Sequence, residues 1–140
     1  MEDFVNFKIS QKLKDKGFRE KCLAYYDVED NVGLLYNTQY SNELLPCQYT
    51  DLLVSYNSGD ILSNLDDSDD CIDAPTISQV LKWMRKEKKI HICVDFDGDM
   101  NWYYQIAIYG STDIAADGYG YNDYELSALA GIEYVLDNLI

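Results

Sequence analysis

The first periodic stretch opens after Asn6, where Ile9 and Leu13 stand four places apart and so share one side of a helix. Asn6 is a good cap, Gly17 can take the left-handed stop, and Phe18 can fold back, which predicts a helix over about 7–16. Lys12, Lys14 and Lys16 fall where they complement the negative end of its dipole. Two short apolar runs, 22–26 and 32–36, are separated by the polar stretch 27–31 and read as a hairpin. The pattern then weakens. Across 38–73 it offers a strand at 52–56, a turn at 57–60 and a charge run at 66–70 that predicts an acidic loop.

Helical spacing returns after Pro75. Thr76 and Gln79 have capping-box spacing, Ile77, Val80, Leu81 and Met84 form a stripe flanked by Trp83, and Lys82, Arg85, Lys86 and Lys89 face outward. The period then becomes two. Ile90, Ile92, Val94 and Phe96 alternate with His91, Cys93 and Asp95, and after an Asp97-Gly98-Asp99 turn Trp102, Tyr104, Ile106 and Ile108 share a face. Residues 110–121 read as a Gly-rich link. A closing helix is predicted from about Asp123, with Asn122 and Glu125 in capping positions and Leu129, Ile132, Leu136 and Leu139 as its core. The order α-β-β-(variable)-α-β-β-α, with hairpins in place of crossovers, predicts an α+β fold: an antiparallel sheet of about four strands covered by about three helices.

Length favours a single domain over 1–140 with a variable acidic segment at 38–73, and a hydrophobic content of 47% supplies a core. Thirteen tyrosines and two tryptophans suit half-buried sheet faces and binding surfaces alike. No basic leader followed by an apolar run, and no apolar stretch of about 18 residues, is found, so a cytoplasmic protein without membrane association is expected. Cys22, Cys47, Cys71 and Cys93 form no C-x-x-C pair and there is one histidine, His91. That predicts buried, inert thiols and no zinc or other cofactor.

Charge changes the picture through its distribution. The net charge is −14, yet all eleven bases lie in Lys8–Lys21 or Lys82–Lys89, and no base follows Lys89. Most of the surface would repel nucleic acid, so direct nucleic-acid binding is not expected.

The sharpest chemical candidate is Val94-Asp95-Phe96-Asp97-Gly98-Asp99-Met100. It resembles the D-x-D-G-T motif of haloacid-dehalogenase-like phosphatases, which would make Asp95 the nucleophile and Asp97 the acid. Asp99 replaces the threonine, a strand follows in place of a helix, and no later lysine offsets the phosphoryl charge. Asp95, Asp97, Asp99 and Asn101 also alternate as calcium-loop ligands do, but Met100 and Ile106 occupy the positions that need Gly and Glu. A divalent-metal site at Asp95, Asp97 and Asp99 remains one reading, beside that of a hairpin turn. His91 and Cys93 would share a strand face without an orienting partner. Trp102, Tyr103, Tyr109, Tyr119 and Tyr121 are the candidate interaction surface.

Phe4-Val5-Asn6 through Lys16-Gly17-Phe18, the block from Ala74-Pro75-Thr76 to Trp83-Met84-Arg85, Ile90-His91-Ile92, Trp102-Tyr103-Tyr104 and the closing 124–140 helix carry a resemblance. They are similar to small α+β proteins of gut anaerobes and their phages or mobile elements, which share an A-P-T-x-x-Q-V-x-x-W-x-R block, a W-Y strand and a terminal amphipathic helix. The resemblance covers roughly 60% of the chain and implies a genetic context, without a transferable chemistry. The expected function is therefore a non-enzymatic accessory protein binding an as yet unidentified protein partner. An acidic DNA-mimic inhibitor and a weak metal-dependent hydrolase at the aspartate turn are the alternatives.

Overall fold

A computed structural model of the chain describes residues 3–20, 22, 24–27, 32–36 and 71–140. They belong to two compact units, Met1–Thr76 and Ile77–Ile140. The strand expected at 52–56 and the acidic loop at 66–70 lie outside the described residues. No helix among the described residues is long and apolar enough to cross a membrane.

In the first unit, helix α1 (Phe7–Asp15) starts where its sequence predicts. The Asn6 side-chain oxygen Oδ1 accepts the Ile9 N–H at 2.9 Å, satisfying one of the orphan donors of the first turn. At the other end Gly17 takes φ 91°, and Phe18 N–H returns to the Leu13 carbonyl at 3.0 Å. Arg19 caps the exit by donating to the carbonyls of Lys14 (3.0 Å) and Phe18 (2.8 Å). Ile9, Leu13 and Phe18 are thereby buried, together with Val5, Cys22, Ala24, Ile72 and Ala74.

The expected hairpin forms from β1 (Ala24–Asp27) and β2 (Val32–Tyr36), antiparallel with a bulge at Tyr26/Asp27. A third strand, β3 (Cys71–Ala74), pairs antiparallel with the other side of β1 and receives α1. This strand falls in the stretch where the pattern was weak, and four residues are too few to display alternation. The chain before α1 is tied down by Phe4 bridging Thr76, by Val5 N–H bonding the Pro75 carbonyl at 3.0 Å, and by Tyr26 Oη donating to the Val5 carbonyl at 2.7 Å. Phe7 packs edge-on against Tyr26 at 5.6 Å.

The second unit begins with α2 (Ile77–Trp83), which buries Ile77, Val80, Leu81 and Trp83 and widens into a π-helical turn at Met84–Lys88. The sequence stripe predicts one regular helix. The wider turn aligns residues five apart, and Lys88 Nζ accordingly stands 5.3 Å over the Trp83 ring. Lys89 stops the helix in the left-handed region at φ 57°.

Strands β4 (Ile90–Phe96), β5 (Trp102–Ile108) and β6 (Ile114–Tyr121) form an antiparallel sheet in that order. β6 replaces the expected Gly-rich link. Its glycines have specific work in the sheet. A Cβ on Gly118 would clash with the Tyr104 ring, 2.7 Å from Cζ, so glycine is what lets that large ring lie across the strand. Gly120, at φ 87°, lies in the irregularity where 119 and 120 together oppose Tyr103. The last helix, α3 (Tyr124–Asn138), is capped by Asp123, one residue later than Asn122, its carboxylate accepting Leu126 N–H at 2.7 Å. It packs against all three strands. The helix comes close to the sheet at Gly131, where a Cβ would stand 3.0 Å from Ile92 Cγ2. Of the expected helix core, Ile132 and Leu136 are buried and Leu129 and Leu139 half-buried, while Ala128 and Val135 complete the contact face.

The chain is thus α+β, and its described residues form six strands in two three-stranded antiparallel sheets where one sheet of about four strands in two hairpins was expected. Each expected hairpin has gained one strand.

Burial pushes the Cys22 thiol well above the ordinary thiol range, with the charges of Asp73 and Glu20 adding to the effect, and burial likewise raises the Tyr26 phenol. The folded chain therefore holds these protons more tightly than the unfolded one. The stability they confer is complete below the unfolded thiol value of about 8.5 and is lost as pH rises towards the folded values. Urea midpoints measured between about pH 8 and pH 11 are expected to fall, and to fall less steeply in Cys22→Ala. In the second unit, Gly118→Ala is expected to cost about 2 kcal/mol by forcing the Tyr104 ring from its place, read as a lowered urea midpoint.

Candidate functional site

Strand register determines what the second sheet presents on the side away from α3. Residues directly opposite one another in an antiparallel pair share a face. His91 faces Ala107, which faces Ile114; Cys93 faces Gln105, which faces Asp117; and Asp95 faces Tyr103. Tyr119 completes the last row by stacking on Tyr103, with ring centroids 5.3 Å apart and planes 23° from parallel. The opposite face carries Ile90, Ile92, Tyr104 and Ile106, with Ile90, Ile92, Tyr104 and Ile106 buried.

Three rows across three strands thus form an open face. His91, Cys93, Asp95, Ile114, Asp117 and Tyr119 on it are exposed, and Tyr103, Gln105 and Ala107 are half-buried. Tyr119 is 60% exposed, far more than an aromatic ring whose task is to fill a core. Each tyrosine of the stack has a carboxylate beside it. Asp95 is the cross-strand partner of Tyr103, and Asp117 Oδ2 accepts from Tyr119 Oη at 3.4 Å. Loss of solvation raises the Tyr103 phenol above its ordinary value, and the negative charges of Asp95, Cys93, Tyr119 and Asp97 push in the same direction.

The five residues of the candidate surface divide. Tyr103 and Tyr119 come together on the open face. Trp102 packs between Phe96 (5.3 Å) and Tyr124 (5.8 Å), and Tyr121 lies against Tyr104 (5.9 Å), on the side that α3 covers. Tyr109 is exposed at the turn after β5, where its N–H bonds the Lys89 carbonyl at 2.9 Å. Gln105, Ile114 and Asp117 join the face without having been anticipated, because Ile114 and Asp117 lie on the strand whose glycines made it read as a link.

The three aspartates of the candidate metal site also part company. Asp95 lies on the open face, with its carboxylate accepting Phe96 N–H at 2.8 Å. Asp97 shapes the β4–β5 turn: its Oδ1 accepts Asp99 N–H at 2.7 Å and Asn101 N–H at 3.2 Å, and its own N–H bonds the Asn101 carbonyl at 2.9 Å. Among the described residues no three His, Cys, Asp or Glu side chains are grouped so as to hold a metal ion. His91 and Cys93 share the open face one row apart, and no hydrogen bond joins them.

The same turn puts Met100 at φ 68° with its side chain 84% exposed. A long side chain in the left-handed region costs about 1 kcal/mol, and asparagine tolerates that region better. Met100→Asn is expected to raise the thermal midpoint by a few degrees, with the open face unchanged in its NMR amide shifts. Compared with protein-family models, with curated proteins and with solved structures, the chain has no match.

Proposed function

We propose that this chain is a non-enzymatic accessory protein, of phage or mobile-element origin, that acts by binding another protein through the open face of β4–β5–β6. The observation carrying this reading is the exposed Tyr103–Tyr119 stack on a sheet face opposite the one α3 covers. Stacked tyrosines offer rigid amphipathic area at small entropic cost, which suits a contact surface. Asp95 and Asp117 are interleaved there with Tyr103, Tyr119, Gln105 and Cys93. Alternation of that kind favours a protein surface over imitation of a row of phosphates.

A photo-crosslinking residue placed at Tyr119, and separately at Leu126 on the exposed side of α3, distinguishes the readings. Expected is one host or phage protein captured from 119 and not from 126, competed by the unmodified chain and lost with Tyr103→Ser. Equal capture from both positions, or a magnesium-dependent hydrolytic activity abolished by Asp95→Asn, would overturn the proposal.

A further inference from the structure

The open face has a definite charge as well as a shape, and that charge narrows the chemistry of what it can receive. Every ionisable side chain it presents, apart from His91 and Cys93, is a carboxylate or a phenol: Asp95, Asp117, Tyr103 and Tyr119. Asp97 and Asp99 stand at the turn next to the Asp95 end. The whole of 90–140 contains no lysine or arginine that could neutralise them from within these strands. A partner surface bearing acids would meet like charges across the face, at a cost in affinity. A partner bearing cations would not, and here the aromatic stack discriminates further. A guanidinium is planar, so it can lie on a tyrosine ring while its edge donates two hydrogen bonds to a carboxylate; an ammonium does the first weakly and the second without the paired geometry. Both parts of that arrangement are side by side here, Tyr103 with Asp95 and Tyr119 with Asp117, the latter pair 3.4 Å apart.

We infer that the open face of β4–β5–β6 receives an arginine-bearing basic segment of the partner protein, its guanidinium groups lying over the Tyr103–Tyr119 stack and pairing with Asp95 and Asp117. This rests on the interaction reading above and adds the chemistry of the partner. It also accounts for the place of the two tyrosines. Buried under α3 they would add to the core; in their actual position they raise the value of each neighbouring carboxylate to a flat cation.

The test titrates the full chain with a blocked peptide alternating arginine and serine, and with counterparts carrying lysine or the neutral isostere citrulline, while amide shifts are followed by NMR. Expected are shifts concentrated at His91, Cys93, Asp95, Tyr103, Gln105, Asp117 and Tyr119. Affinity should fall about tenfold with citrulline and several-fold with lysine, and weaken further as salt is raised. Asp95→Asn with Asp117→Asn should remove most of the arginine preference, as should Tyr103→Leu with Tyr119→Leu, each pair first shown to keep the wild-type thermal midpoint. Citrulline binding as well as arginine at this face would overturn the inference and leave the interaction reading intact. Shifts confined to α3, or no binding at about millimolar peptide, would overturn it too, and the crosslinking from position 119 would then decide the interaction reading separately. Self-association of the chain through this face would likewise overturn it, by making a second copy the occupant.

Discussion

The second unit depends on how closely α3 can lie on its sheet. Gly131 removes the side chain at the point of contact, leaving backbone within reach of Ile92 and the Tyr104 ring. Gly118 in turn gives that ring the space a Cβ would have taken. Two glycines on different elements thus accommodate one tyrosine between them. With Tyr104, Ile92 and Ile106 buried in this contact and α3 spread over all three strands, the middle of the sheet's apolar face is covered. A strand's side chains alternate, so whatever is not taken by the helix must point the other way. The open face is a direct result: on β4 and β5 its residues are the odd-numbered partners of a packed even-numbered set, and on β6 the register shifts put Ile114, Asp117 and Tyr119 on the same side.

How much of this could be read from the chain depends on the kind of signal. The caps were plain, because Asn6 and Gly17 each do a job that few residues do well. The β4 and β5 pattern was plain because seven residues each are enough for a period of two to show. β3 was hidden by its length. β6 was hidden by Gly118 and Gly120, which read as flexible until Tyr104 is known to lie over the first of them. The π-helical turn after Trp83 leaves no mark in an apolar stripe, since the stripe at 77–84 is equally good for an undistorted helix. Of the candidate surface, the abundance of tyrosine was legible, but its partition was not. Trp102 and Tyr103 are adjacent in sequence and end on opposite faces, and only the register of β5 decides which is which.

Charge segregation takes a concrete form in this unit. The bases from Lys82 to Lys89 sit on α2 and its widened exit, where Lys88 covers Trp83, while the strands that follow contain no lysine or arginine. The aspartates do unlike things despite their like spacing. Asp97 folds the turn, Asp123 caps a helix, and Asp95 and Asp117 face outward beside tyrosines. A regular D-x-D-x-D spacing therefore says little about shared chemistry when a turn interrupts the strand between the first and last members.

The irregularities of β6 have a consequence for solubility. Among the described residues this strand has only β5 as a neighbour in the ladder of the second sheet, and a strand edge is a template for further chain addition. Its register with β5 breaks twice, near Trp102/Tyr104 and near Ile106/Ala107, leaving only Ala116, Asp117 and Gly118 in uninterrupted pairing. A stretch that short, carrying a charge and a glycine, gives an incoming strand too few straight hydrogen bonds to hold it. The bulge that brings Tyr119 over Tyr103 thereby also blunts the edge that β6 presents, beside the stacked aromatic rings.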